Sequence, residues 1–407
     1  MKLDAFYVRR MWSFSRALDL ALVDEEIERG FQVAVGQRHG ERVAYIALSL
    51  AREMRLTQED LLQVTVAGLL HDIGAIANFR KCHGDPKILL EHCLAGAEMI
   101  RDFPEGEILS TVIRYHHECP DPNFGILKVD PALVSLLARI ISLADKLDVH
   151  LPRHLLSHAQ RDKLLSWITQ FNGVLFFPEV VEALKRLAPR EAFWLNLEQP
   201  DLPEVVLSML YERWEFETPV ELERGFTDTL AETFAELVDQ KSNFTARHSH
   251  SVAENVERLA WGLGWSSEKR HEIFVAGLLH DLGKLGMPNE ILDKPGKLAQ
   301  NELEVIRTHT YYTHRLLTEA GFPKRVVGWA AYHHERLDGK GYPFGLAGEE
   351  LDTGARLMSI ADIFAALTEE RPYRKALSSE ESINIIKKSE GSALDPVLIA
   401  LAQRVLL

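Results

Sequence analysis

The amino-acid sequence predicts an all-α protein made of two tandem helical bundles joined by a mostly helical connector. Apolar residues recur at steps of three and four in residues 43–50 and 252–263, which is the period of an amphipathic helix. Gly264 and Pro288 end such segments, and the weak alternation of residues 193–197 is the single candidate strand. A long residue pattern also occurs twice, so one bundle is expected for each copy.

The duplication is visible as short segments that reappear in the same order. The matched segments are residues 37–44 with 246–253, 67–74 with 276–283, 115–118 with 332–335, and 142–145 with 359–362. The first histidine and the following His-Asp pair are 32 positions apart in both copies. The next step is 21 positions in the first copy and 29 in the second, which indicates an insertion of eight residues in the second copy.

Three parts follow from this pattern. We predict a divergent bundle at residues 1–188, a connector at 189–240 and a second bundle at 241–407. Prolines at residues 189, 200, 203 and 219 break helices and place the boundary there. The segment 173–178 matches 391–396 in spacing, so each copy is expected to extend to its own C-terminal helix.

Length, charge and cysteine content narrow the class of protein. A chain of 407 residues is long for one core, and 46% hydrophobic with 26% charged residues is typical of a globular protein. The formal net charge of −14 argues against binding to a nucleic-acid polymer or an anionic membrane. Three cysteines without zinc-knuckle spacing favour a reducing compartment, and no apolar run is long enough to span a bilayer. We therefore expect a cytoplasmic protein without a membrane partner, and the sequence leaves a homodimer open.

The duplicated positions carry imidazoles and carboxylates, which are nitrogen and oxygen ligands for divalent metals. The second copy offers His248, His280, Asp281, His309, His333, His334 and Asp362, and the first copy offers His39, His71, Asp72, His92, His116, His117 and Asp145. Ten of the 17 histidines fall at these positions, which random core histidines would not do. Five histidines and two aspartates exceed the need of one ion, so the pattern of the second copy predicts two metals, an arrangement that hydrolyses phosphate esters.

The second copy resembles a known family. His280-Asp281 with its flanking histidines is similar to the HD superfamily of metal-dependent phosphohydrolases, and residues 333–343 resemble the HHExxDGxGYP signature of its HD-GYP branch, the cyclic di-GMP phosphodiesterases. The resemblance covers residues 243–402 and implies an HD-type bundle, beside a divergent HD domain in the first copy. It implies one metal on His248, His280, Asp281 and Asp362 and a second metal on His309, His333 and His334, with Asp281 bridging. Iron or manganese would suit these ligands.

Substrate contacts are implied by the same resemblance. Lys284 would contact the phosphate or assist charge build-up, with Asp281 as the other catalytic residue. The implied substrate-binding residues are Arg336, Asp338, Lys340, Gly341, Tyr342, Pro343 and Arg371. The alternatives are a solvated Lys284, a Tyr342 that fills the core and an Arg371 that forms a helix-end salt bridge.

Both copies depart from the family pattern. In the second copy, Phe244 replaces a carboxylate that brings a third metal in some members, and Thr313 crowds a position where glycine is usual. The first copy keeps all seven ligands, but Ala75 stands in place of Lys284, and residues 119–125 replace the Gly-Tyr-Pro turn. We expect metal occupancy there, in a regulatory or differently specific HD domain. A purely architectural half is the alternative.

The predicted function is metal-dependent hydrolysis of a cyclic dinucleotide by the second copy, through a hydroxide that bridges two metals. The resemblance implies cyclic di-GMP, which the motif does not distinguish from a hybrid such as 3′3′-cyclic GMP-AMP. One alternative is a cyclic dinucleotide receptor that signals through residues 203–240. Another is a nucleotide phosphohydrolase of the broader HD class. The intact His-Asp pair and Lys284 count against the receptor.

Overall fold

The computed structural model describes residues 5–28, 38–75, 86–151, 158–211, 224–241, 247–294, 296–370, 375–389 and 391–407. Residue contacts group the chain into two compact units, Met1–Thr218 and Pro219–Leu407. The first unit contains α1 (Ala5–Glu28), α2 (His39–Glu53), α3 (Gln58–Leu70), α4 (Pro86–Met99), α5 (Gly106–Tyr115), α6 (Leu136–His150), α7 (His158–Gln170), α8 (Pro178–Leu187), α9 (Glu191–Asn196) and α10 (Leu202–Leu210). The second unit contains α11 (Arg224–Lys241), α12 (His248–Gly262), α13 (Ser267–Leu279), α14 (Asn289–Leu292), α15 (Gln300–Glu319), α16 (Lys324–Ala331), α17 (Thr353–Thr368), α18 (Ser379–Lys387) and α19 (Pro396–Leu406).

The all-α prediction is confirmed, because the described residues form helices and no β-strand beyond one isolated bridge between Asn172 and Phe176. The candidate strand at residues 193–197 is wrong, since this segment forms most of α9. Phe193 and Trp194 are neighbours and are both buried, which a strand with alternating faces would not allow on a half-exposed surface. The Trp194 indole also donates a hydrogen bond back to the Ala188 carbonyl at 2.8 Å.

The two units repeat one order of helices, apart from α9 and α10 in the first unit and α14 in the second. In each unit one helix pair, α2 with α3 and α12 with α13, forms the most extensive helix–helix contact among the described residues. Gly277 makes this possible, because a Cβ atom there would lie 2.6 Å from the Ala253 Cα. Gly68 meets Ala44 in the same way at 2.7 Å. This close approach brings the C-terminal end of one helix beside the N-terminal end of the other, which is where the candidate ligands lie.

A half-buried arginine forms the same set of contacts at the start of the helix that carries the last aspartate of each copy. Arg139 donates hydrogen bonds to two carbonyl groups just before α6 and pairs with Glu179 of α8 at 2.6 Å. Arg356 donates to two carbonyl groups just before α17 and pairs with Asp395 before α19 at 2.9 Å. The duplication read from the sequence therefore extends to contacts that fix α6 against α8 and α17 against the start of α19.

The predicted connector, residues 189–240, falls partly in each compact unit. Helices α9 and α10 belong to the first unit, where α10 contacts α2, and α11 belongs to the second unit, where it contacts α12 and α13. The division into three domains stays a prediction. Among the described helices, none combines the length and the apolar character that a membrane-spanning segment requires.

Candidate metal centres

Helix ends supply most of the candidate ligands of the second unit. His248 is the first residue of α12, while His280 and Asp281 follow the last residue of α13. His333 and His334 come just after α16. His309 and Asp362 lie inside α15 and α17, and the fold brings all seven predicted ligands into one cluster.

The Asp281 carboxylate lies between two groups of imidazoles. Its Oδ2 atom is 3.3 Å from His280 Nε2 and 3.9 Å from His248 Nε2. Its Oδ1 atom is 3.3 Å from His309 Nε2 and 3.9 Å from His333 Nε2. Each oxygen therefore faces one of the two ligand groups that the sequence analysis separated, which is the geometry of a bridging carboxylate.

Asp362 also faces both groups. Its Oδ1 atom is 3.2 Å from His248 Nε2, and its Oδ2 atom is 3.9 Å from His334 Nδ1. The cluster is not equally accessible on all sides: the His334 side chain is 30% exposed, whereas those of His280, His309 and His333 are at most 1% exposed. Solvent therefore reaches the cluster on its His334 side.

Backbone carbonyl groups orient three of the imidazoles. His280 Nδ1 lies 2.7 Å from the Gly277 carbonyl oxygen, and the same bond to the carbonyl three residues earlier occurs at His309 and His333 at 2.6 and 2.7 Å. A proton on Nδ1 leaves the Nε2 lone pair directed into the cluster, which is the form that binds a metal. His248 is oriented differently, by the Glu369 carboxylate at 3.0 Å from Nδ1.

The electrostatics of the cluster suit divalent cations. Burial, together with the nearby His334 and His280, lowers the pKa of His333 well below its usual value, and burial lowers the pKa of His334 to about 3. Burial alone would raise the pKa of Asp281, but His280 and Lys284 hold it well below its usual range. Neutral imidazoles and ionised carboxylates are the metal-binding forms of these groups. The buried atoms His280 Nε2 and Asp281 Oδ1 have no hydrogen-bond partner among the described residues, as expected of atoms that face an ion.

His248 is the exception among the imidazoles. Burial opposes its protonation, but hydrogen bonds with Asp362 and Glu369 raise the pKa of His248 to about 9. A metal on Nε2 would replace that proton.

Lys284 lies against the cluster. It follows Asp281 in a short 3-10 helix, Leu282–Gly286, and its Nζ atom forms an ion pair with Asp281 Oδ2. Its side chain is 22% exposed, so the ammonium group borders both the bridging carboxylate and solvent.

The first unit assembles its seven predicted ligands in the same way. Asp72 Oδ2 is 3.4 Å from His71 Nε2 and 3.6 Å from His39 Nε2, while Oδ1 is 3.3 Å from His92 Nε2. Asp145 spans the cluster, with Oδ1 3.4 Å from His39 Nε2 and Oδ2 3.7 Å from His117 Nδ1. His116 completes the set, with its Nε2 atom 3.2 Å from His92 Nε2.

The orientation of these imidazoles also matches the second unit. His71 and His116 contact the carbonyl oxygen three residues earlier, at 2.9 and 2.6 Å from Nδ1. Asp148 takes the part of Glu369, with Oδ2 2.8 Å from His39 Nδ1. Burial opposes ionisation of Asp72, but the surrounding histidines lower its pKa to about 2. Cys93 lies on the Nδ1 side of His116 at 3.9 Å, away from the Nε2 atoms that face the cluster.

Comparison with known proteins places both units. Family models of the HD domain match residues 37–149 and 232–398. The 3′3′-cGAMP-specific phosphodiesterase 1 of Vibrio cholerae is 34% identical over 384 residues, which cover 92% of this chain and 85% of that protein. The chain belongs to the HD-domain family, and its second unit to the HD-GYP branch.

Other relatives of this HD-domain protein fall into two groups. A solved structure of a cyclic GMP-AMP specific phosphodiesterase from Vibrio cholerae covers 98% of this chain and 97% of its own, with a TM-score of 0.68 and 26% identity. A cyclic di-GMP phosphodiesterase of Pseudomonas aeruginosa is 38% identical over 149 residues, which are 36% of this chain and 36% of that protein. The first similarity spans both units and the second does not.

The loop of the HD-GYP domain carries most of the predicted substrate contacts. Arg336 and Asp338 form a two-point ion pair with each other, at 2.9 and 2.7 Å, and Asp338 also accepts the backbone N–H of Lys340. The backbone at Gly341 packs closely against the backbone at Glu335, since a Cβ atom on Gly341 would lie 2.4 Å from the Glu335 Cα. The Tyr342 ring packs on His334 with centroids 4.9 Å apart, and Pro343 follows it. Arg371 and Phe244 lie outside the described residues.

Two residues of the HD-GYP domain have a supporting role that was not predicted from the sequence. The Glu335 carboxylate accepts backbone N–H groups from Phe344, Gly345 and Leu346 at 2.7 to 3.1 Å. Its repetition in the first unit as Glu118, which accepts two backbone N–H groups, was the signal that could have revealed this role.

Thr313 is the second of these residues. Its hydroxyl accepts the Gly283 N–H at 2.9 Å and donates to the His280 carbonyl at 3.2 Å. It is fully buried, so it supports the backbone that holds the His-Asp pair. No local pattern in the sequence indicates this contact, because its partners lie some 30 positions away.

Proposed function

We propose that the HD-GYP domain of this chain is the catalytic domain of a metal-dependent phosphodiesterase and that 3′3′-cyclic GMP-AMP is its preferred substrate, ahead of cyclic di-GMP. The preference is supported by the relatives that span both units, which are named for 3′3′-cGAMP or cyclic GMP-AMP. The relatives named for cyclic di-GMP match 36% to 44% of this chain, as does one further relative named for 3′3′-cGAMP, at 44%. The names of all these relatives describe hydrolysis and do not favour the receptor.

One observation carries the catalytic assignment: the two oxygens of Asp281 face two separate imidazole groups, and Lys284 contacts the same carboxylate. Two divalent cations, when bound, would neutralise a phosphodiester and lower the pKa of water. The imidazoles His248 and His280 with Asp362 would hold one cation, and His309, His333 and His334 the other. Iron or manganese suits this set, which contains nitrogen and oxygen donors and no sulfur.

The chain's own residues would prepare the substrate. Lys284 borders solvent beside Asp281, so its ammonium group can donate a hydrogen bond to a phosphate oxygen as negative charge develops there. The carbonyl groups that hold His280, His309 and His333 keep the imidazoles from turning away. The exposed His334 side leaves an approach for the ligand, with Tyr342 as one wall.

Product chromatography tests the proposal. Purified protein, loaded in turn with Fe²⁺ and Mn²⁺, is incubated with 3′3′-cyclic GMP-AMP, cyclic di-GMP and cyclic di-AMP, and the products are separated to distinguish linear dinucleotide from mononucleotide. We expect the highest kcat/KM for 3′3′-cyclic GMP-AMP. Binding of all three compounds without any cleavage, at full metal occupancy, would contradict the proposal.

We also propose that the first unit binds metal. The supporting observation is that Asp72 repeats the placement of Asp281, with one oxygen toward His39 and His71 and the other toward His92. Without a lysine at position 75, this HD domain would be regulatory or have another specificity. Elemental analysis of the wild type and Asp72→Ala tests it, since the variant should lose about half of the bound metal. Homodimer formation stays a prediction, which light scattering would test.

A further inference from the structure

A row of aromatic and cationic side chains leads away from the exposed side of the metal cluster. The row starts at His334, whose ring packs on Tyr342. The Arg307 guanidinium lies over the Tyr342 ring, with its Cζ 5.2 Å from the ring centroid. Among the described carboxylates none forms an ion pair with Arg307, whereas Arg336 is paired with Asp338. Arg307 is thus a cation beside the loop that remains available to a ligand.

Two large aromatic rings continue the row. Phe344 is 43% exposed and Tyr311 is 41% exposed, and their ring centroids are 6.3 Å apart. Phe344 is braced from behind by His314, at 5.0 Å between centroids, and by Tyr332 at 5.6 Å. Because Arg307, Tyr311 and His314 are four and three positions apart in α15, they lie on one face of this helix. The loop and the helix together form a continuous shelf.

The shelf is fixed relative to the metal ligands. Phe344 is held by the hydrogen bond from its backbone N–H to Glu335 Oε1 at 2.7 Å. Glu335 is buried and directly follows His334 in the chain. Tyr311 lies in the same helix as His309, two positions further on. Ring faces held in place in this way lose little conformational entropy when a ligand binds.

The chemistry of the shelf fits a purine base. An exposed aromatic pair offers a stacking surface to any flat heterocycle, and a guanidinium offers donors to the acceptor edge of guanine or to phosphate. A cyclic dinucleotide carries a base on each side of its phosphate ring, so a phosphate at the metal cluster would place one base beyond Tyr342. We infer that Phe344 and Tyr311 stack one purine base of the substrate and that Arg307 donates hydrogen bonds to it. This assignment rests on the proposed function of the same site.

Kinetics of single variants test the shelf. In Phe344→Ala and Tyr311→Ala we expect KM for 3′3′-cyclic GMP-AMP to rise roughly tenfold, with kcat nearly unchanged, because stacking is lost while the metal cluster is kept. Phe344→Trp should restore the wild-type KM. Hydrolysis of methyl p-nitrophenyl phosphate, which carries no base, should be the same in all of these variants.

Arg307→Ala should raise KM for guanine-containing rings more than for cyclic di-AMP. An equal rise of KM for both would assign Arg307 to phosphate and overturn its contact to the base.

A matched control is Trp261→Ala. Trp261 is 66% exposed in the same unit, and it lies roughly 20 Å along α12 from the candidate ligand His248. It should leave KM unchanged. An unchanged KM for 3′3′-cyclic GMP-AMP in Phe344→Ala would overturn the role of the shelf. An equal loss of kcat/KM with methyl p-nitrophenyl phosphate would also overturn it.

Binding separates the failure of the shelf from the failure of the proposed function. The probe is the bisphosphorothioate analogue of 3′3′-cyclic GMP-AMP, which resists hydrolysis, titrated into metal-loaded wild type and Phe344→Ala. A wild type that binds the analogue but cleaves no cyclic dinucleotide would refute the proposed activity, and the ratio of the two Kd values would still decide the shelf. A roughly tenfold weaker Kd in the variant supports it, and equal values or no binding by the wild type overturn it.

Discussion

The two units of this chain hold nearly the same seven ligand side chains in different surroundings. Asp72 and Asp281 both lie between two imidazole groups, and each lies within 4 Å of at least three histidines of its copy. The second unit adds Lys284 on the carboxylate and the Gly-Tyr-Pro loop on the exposed side. The first unit has Ala75 at the position of the lysine. A ligand set can thus be kept while the groups that would meet a phosphate are absent.

Removing the bridging carboxylate gives the largest expected difference between the units. Asp281→Asn should lower kcat for the cyclic dinucleotide by at least about 10³-fold, because metal and water activation depend on it. Asp72→Asn should leave kcat close to that of the wild type and remove metal from the first unit. Steady-state kinetics combined with elemental analysis measures both effects. Equal losses of activity in the two variants would end the assignment of catalysis to the second unit.

Removing the Lys284 ammonium group tests whether the groups around the metals cause the expected difference in activity between the two units. Lys284→Met should keep the metal content and lower kcat by roughly 10²-fold, the usual effect of removing one donor that stabilises developing charge. The loss should appear in kcat more than in KM, since the contact is made in the transition state. Lys294→Met is a suitable control, because that lysine pairs with Glu302. Full activity of Lys284→Met would leave the lysine with only its ion pair to Asp281.

The carboxylates that orient the first histidine of each copy should act on metal affinity. Glu369 contacts His248 Nδ1 at 3.0 Å, and Asp148 contacts His39 Nδ1 at 2.8 Å. Glu369→Gln should weaken metal binding by the second unit about 10-fold or more, as is typical when a partner of a metal-bound histidine is removed. Competition with a chelating dye measures the affinity of each variant. Because Asp148 also pairs with Arg42 at 2.5 Å, Asp148→Asn should in addition lower the stability of the first unit.

The sequence predicted the fold class and the membership of both clusters, because helical period, repeat spacing and ligand chemistry are all local or periodic signals. Arg336 and Arg307 show a feature that such signals do not predict, namely which cation is free to contact a ligand. Arg336 belongs to a recognised motif but pairs with Asp338, while Arg307, outside any motif, lies over Tyr342. Which of two exposed cations faces the ligand depends on how α15 packs along the loop. Such packing between segments distant in the chain leaves no periodic trace in the sequence.

Thr313 provides the smallest and most local contrast between the units. Gly96 occupies its position in the first unit, so only the second unit has a hydroxyl that joins the Gly283 N–H to the His280 carbonyl. Thr313→Val keeps the volume but leaves these two buried backbone groups unpaired, which should lower the free energy of unfolding by about 1–3 kcal/mol. Urea denaturation of the full chain measures the change.

Thr310→Val is the matched control for this comparison. Its hydroxyl donates only to the Arg307 carbonyl in its own helix, at 3.1 Å, so its loss should have a smaller effect. If the two valine variants were equally stable, the Thr313 bridge would not support the His-Asp pair. If Thr313→Val lowered kcat and Thr310→Val did not, the Thr313 hydrogen bonds would also help to place Asp281. Gly96 of the first unit has no side chain that could do the same.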